Sequence, residues 1–88
     1  MRAAFEAAGG PCPSYSPRDV TNAAAAADCS DDVVLMIFGS EDNRNQTADT
    51  LKIFTDLLVG PNWIVNAPRP TIDQVRQDMG GVVYEAQD

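Results

Sequence analysis

The sequence predicts an α+β domain built around one strand buried on both faces. Three observations predict it. Val33–Phe38, VVLMIF, is an unbroken apolar run bounded by Asp31-Asp32 and Gly39-Ser40, the pattern of a strand covered from both sides. From it onward, strand-like and helix-like stretches follow in the order β-α-β-β-α-β. The chain has 88 residues and is 44% hydrophobic, which suits one domain, 1–88, and argues against disorder.

Residues 2–8, RAAFEAA, are mostly good helix formers and end at Gly9-Gly10, a fitting stop. Phe5 is their one large apolar side chain, so this short helix must dock to persist. Pro11–Pro17, PCPSYSP, has three prolines in seven residues and predicts an extended crossing. Ser16 then serves as a helix N-cap, with Pro17 at the first helical position and Asp19 near the third. The spacing predicts a short helix to about Asp28, whose alanine run, 23–27, allows close approach to a sheet; low-complexity filler is the alternative.

Ser40 caps a second helix, with Glu41 and Asp42 in its first turn. Thr47, Ala48, Leu51, Phe54 and Leu58 keep helical spacing, and the helix is expected to stop near Phe54 or Thr55. Leu57–Val59 and Trp63–Val65 flank Gly60-Pro61-Asn62, which reads as a tight hairpin. The competing reading makes Gly60 a helix C-cap and Pro61 a stop, reducing the order to β-α-β-α-β. Thr71 is expected to cap a third helix, with Ile72, Val75 and Met79 on one face and Gly80-Gly81 at its end. Val82–Tyr84 is the last strand.

This order predicts a ferredoxin-like β-α-β-β-α-β sandwich over residues 31–88. Alternation places Val33, Leu35 and Ile37 on one side of the first strand and Val34, Met36 and Phe38 on the other. The two later helices are expected to cover one face. Residues 1–30, a helical extension, are expected to cover the other.

Cys12 and Cys29 bracket the predicted N-terminal helix. With no CxxC pair and no histidine in the chain, they make a poor metal site. A reactive thiol would lack a histidine to activate it. A disulfide is the preferred reading, worth about 3 kcal/mol for a loop of this length. Two buried free thiols in a cytosolic protein are the alternative.

The formal net charge of −7 disfavours nucleic acid and anionic membrane as partners, because both need a cationic face. The absent histidines remove the commonest general base and the commonest transition-metal ligand. No stretch reaches the roughly 20 apolar residues of a membrane span. The start of the chain has no export signal, so an exported form is expected to have lost one. Asp31-Asp32 and Glu41-Asp42 lack EF-hand spacing and read as capping and solvated groups. Gly60-Pro61-Asn62 lacks the phosphate-cradle pattern, and Asn45-Gln46-Thr47 is a glycosylation sequon meaningful only in a eukaryotic secretory route. These readings assign no catalytic residue, cofactor or metal. Tyr15, Trp63 and Tyr84 are the candidate interaction residues; for Trp63 and Tyr84, packing is the alternative.

The Cys12-Pro13-Ser14-Tyr15 start, a second cysteine before Asp31–Phe38, Leu57–Val65, and a short helix ending in Gly80-Gly81 before the last strand are together similar to small secreted proteins and lipoproteins of actinobacteria and their phages. The resemblance covers most of the chain. Its most specific parts are Leu58–Trp63 and Gly80-Gly81. It implies a cell-envelope location and a paired Cys12 and Cys29, and it carries over no catalytic residue. The expected function is a non-enzymatic protein-interaction module at the envelope. The alternatives are an exported protease-inhibitor or pro-region-like domain docking through its sheet, and a small ligand-binding domain or enzyme. A cytoplasmic location is the alternative if the cysteines are free.

Overall fold

The computed structural model describes residues 2–30 and 32–86. It is an α+β domain with a six-stranded sheet and three helices. The helices are α1 (Arg2–Ala7), α2 (Glu41–Leu51) and α3 (Arg69–Met79). The strands are β1 (Ser16–Arg18), β2 (Ala25–Ser30), β3 (Val33–Ile37), β4 (Leu57–Val59), β5 (Trp63–Asn66) and β6 (Val82–Tyr84). They lie in the order β1-β2-β3-β5-β4-β6, with every neighbouring pair antiparallel.

The hairpin expected around Gly60-Pro61-Asn62 is present. Leu57, Leu58 and Val59 face Asn66, Val65 and Ile64 across the ladder. The β-α-β-α-β alternative therefore does not hold. From Val33 onward the elements do follow the order β-α-β-β-α-β, but the ferredoxin-like arrangement is not confirmed. That arrangement would return the last strand to the side of β3. Here β6 pairs with β4 instead, and β2 occupies the place beside β3.

This order corrects a second expectation. The crossovers β3-α2-β4 and β5-α3-β6 each join parallel strands across one intervening strand. Both step the same way across the sheet, while their strands run in opposite directions. Right-handed crossovers of that kind place their helices on opposite faces. The two clusters agree. Phe5 of α1, Ala8 just after it, Ile72 and Val75 of α3, Val33, Leu35, Leu58 and Val65 form one. Ala48 of α2, Met36, Phe38, Leu57, Val59 and Ile64 form the other. Neither face depends on residues 1–30 alone. The alternation within β3 is as expected, with Val33 and Leu35 on one side and Val34, Met36 and Phe38 on the other.

The N-terminal extension is the third correction. The predicted helix from Pro17 to about Asp28 is instead the antiparallel pair β1 and β2. Ala25, Ala26, Ala27 and Asp28 pair with Ile37, Met36, Leu35 and Val34. Helix propensity favours alanine by less than about 1 kcal/mol per residue, and a short helix must also overcome a costly nucleus. Pairing instead satisfies the backbone on the open side of β3, where buried N–H and C=O groups need partners. Small alanine side chains fit against Leu35, and Ala27 is buried. Register shifts between Asp28 and Ser30, so β2 carries an irregularity at Cys29.

Smaller differences concern helix ends. Ser40 caps α2, its Oγ accepting from the Asn43 N–H at 3.2 Å. The helix stops at Leu51, short of the expected Phe54, and Phe54 is 77% exposed. Leu58 belongs to β4 rather than to the helical stripe. α3 begins at Arg69 with Pro68 as its N-cap residue, not at Thr71. Pro70 fits the first turn because the N–H it lacks would be unpaired there.

Candidate functional site

Cys12 and Cys29 form a disulfide. Both sulfurs lie in the cluster with Phe5, Ile72 and Val75. The bond ties the proline-rich crossing to β2, and the Ser14 N–H donates to the Cys29 carbonyl at 3.4 Å. Arg2 continues this tie from α1. It pairs with Glu6 at 2.8 Å, donates to the Cys12 carbonyl at 3.4 Å, and lies 5.1 Å from the centre of the Tyr15 ring.

The three candidate aromatics are not brought together. Tyr15 is 44% exposed and sits just before β1. Trp63 packs on the α1–α3 face. Tyr84 packs on the α2 face, with the Lys52 ammonium 5.9 Å from its ring centre. They therefore form three separate positions.

Trp63 is the most constrained of the three. A Cβ added at Gly60 would collide with the indole, and one at Gly81 would lie 2.9 Å from the Val59 carbonyl and 3.1 Å from the indole edge. Gly81 also has φ +97°, a conformation that costs little only for glycine. The Leu58–Trp63 and Gly80-Gly81 motifs thus form one packing unit around the indole. Arg44 holds the same turn from α2, its Nη1 donating to the Gly60 and Pro61 carbonyls at 2.9 Å each. Nothing in the sequence spacing of Arg44 marks this role.

Trp63 also borders two adjoining open depressions of about 400 and 230 Å³. Ala4, Trp63 and Met79 border both; Ala7, Ala8 and Asp78 extend one, Ile37 and Asn62 the other. The result is a groove walled by α1 and the end of α3 and floored by the indole. Its lining is mainly apolar, with Asp78 as its charged member.

The other sequence candidates have local structural roles. Glu41 and Asp42 lie in the first turn of α2, and Asp31 lies outside the described residues. Asp32 accepts a 2.9 Å hydrogen bond from Ser30. No grouping of three metal-ligating side chains occurs among the described residues. Asn45 of the sequon sits inside α2 and accepts from Arg44 Nη2 at 2.8 Å, while Thr47 is buried. Arg69 bonds Asp73 at 3.0 Å and Glu85 at 3.1 Å. These partners, Asp73 first, raise its pKa above the usual arginine value, so it stays charged at any working pH. No helix among the described residues is long and apolar enough to cross a membrane. Comparison with known protein families, with characterised proteins and with solved structures finds no match.

Proposed function

We propose that this chain is a non-enzymatic, disulfide-stapled interaction module of the bacterial cell envelope, and that the Trp63 groove is its docking surface. The groove carries the reading. It offers a rigid indole floor, held by Gly60 and Gly81, beside the small side chains of α1. Such a surface suits an apolar anchor, because aromatic floors in desolvated grooves dominate protein interfaces. With Asp78 beside it and a formal net charge of −7, the fitting partner carries that anchor on a basic segment. The disulfide supports an oxidising location. The resemblance to secreted actinobacterial and phage proteins supports the envelope. Docking through a bare sheet, as a protease inhibitor would, is less well supported, since helices pack on both faces.

The test is a peptide selection on the oxidised protein, read through Trp63 fluorescence. Selected peptides should share an apolar anchor flanked by Lys or Arg. Ala4 is exposed, so Ala4→Arg should fill the groove without unfolding the domain and weaken binding at least roughly tenfold, about 1.4 kcal/mol. Equal binding to Ala4→Arg would remove the groove from the reading.

A further inference from the structure

A second depression, of about 390 Å³, lies between α2 and the loop joining β1 to β2. Val20 and Ala23 of that loop pack on the α2 cluster. Asn22 sits between them with φ 71°, the one positive φ among the described non-glycine residues. Its side-chain amide donates to Gln46 Oε1 at 3.4 Å. That distance is at the long end for such a bond, so a better partner displaces it at little cost.

Two properties mark this depression. Its lining holds no ionisable side chain, although the chain is 22% charged. Val20 and Leu51 supply apolar surface, and threonine hydroxyls with the Asn22 and Gln46 amides supply neutral donors and acceptors. Thr47 is the second property. It borders the depression and is only 7% exposed, yet its Oγ1 has no hydrogen-bond partner. Among the described residues it is the one buried side-chain oxygen or nitrogen left so. Its neighbour Thr50 instead bonds back to the Gln46 carbonyl at 3.0 Å. A buried hydroxyl without a partner opposes folding. Oγ1 is shut off from solvent in the rotamer seen here; helical threonines populate two χ1 rotamers, and binding requires the step between them that exchanges Oγ1 with the methyl group.

We infer that this depression binds a small neutral polyol, the ring of an uncharged sugar, with the Thr47 hydroxyl as its buried partner. A sugar ring presents C–H faces to Val20 and Leu51 and hydroxyls to Asn22 and Gln46. Each of those amides both donates and accepts, as does every sugar hydroxyl. A carboxylated sugar finds no cation in the lining. This site is separate from the Trp63 groove and does not rest on that groove's function.

Backbone amide shifts of the oxidised, full chain read the test. Glucose, galactose and N-acetylglucosamine are titrated separately to about 100 mM, with glucuronate as the charged control, a range that reaches dissociation constants in the millimolar region. At least one neutral sugar should give saturable shifts confined to 20–22 and 46–51, and glucuronate should not. Thr47→Val keeps the shape and removes the hydroxyl. It should raise the melting temperature and weaken binding roughly tenfold or more, whereas Thr47→Ser should keep binding. Gln46→Ala, on the exposed rim, gives a second reading independent of the core and should also weaken binding. Absent saturable shifts with all three neutral sugars, equal binding of glucuronate, or unchanged binding by Thr47→Val would each overturn the inference.

Discussion

Gly60 shows how far a single missing methyl group decides this structure. The Trp63 indole occupies the space a Cβ would take, and the same indole reaches Gly81 in the next connection. Gly60→Ala therefore forces the ring out of its place between the β4–β5 turn and β6. Overpacking of this kind costs about 1–3 kcal/mol. The expected outcome is a lower urea midpoint with a shifted tryptophan emission maximum. An unchanged emission spectrum would mean that the ring does not rest on the glycine. Leu58–Trp63 and Gly80-Gly81 stood out in the sequence, but the reason they belong together did not. A motif names residues, whereas the indole joins positions about twenty apart, and only the fold supplies that contact.

At the scale of elements, the legible parts are those whose pattern agrees with their surroundings. Val33–Phe38 alternates into both cores, Ser40 caps α2, and Pro61 turns the hairpin. The segment 17–28 was illegible because its local chemistry and its pairing disagree. Ser16-Pro17 followed by alanines favours a helix locally, and the open side of β3 draws the same residues into a strand. Ala25 separates these two descriptions. It is exposed, and it pairs with Ile37. Ala25→Val should raise stability by about 0.5 kcal/mol if the residue is in a strand, where β-branched side chains are favoured. In a helix the same change would lower it. Urea denaturation of the pair of proteins measures the sign. The ferredoxin-like reading failed for a related reason. Element order alone does not say whether the last strand returns beside β3 or beside β4, and β2 holds the place beside β3.

At the scale of the whole molecule, the disulfide links the groove to the compartment. α1 has six residues, too few to hold a helix in water by itself. It is held by Phe5 and Ala8 in the α1–α3 core and by the Cys12–Cys29 bond just after it. The sheet depends on the bond much less, since β3, β4 and β5 pair through their own backbone. Breaking the bond should cost about 3 kcal/mol in the chain-entropy model, from a total of about 5–15 kcal/mol for a domain of ordinary stability. The loss should fall unevenly. In the reduced protein, amide exchange should quicken first at residues 2–8 and last in β3 and β5. Because α1 forms one wall of the Trp63 groove, the reduced protein should also lose affinity for groove-binding peptides while it remains folded. Docking would then be confined to oxidising surroundings, as the proposed envelope location requires. The measurement is peptide titration and hydrogen exchange on the same sample before and after reduction. Uniform loss of protection would show that the bond supports the whole fold rather than α1, and unchanged affinity in the reduced state would separate the groove from the staple.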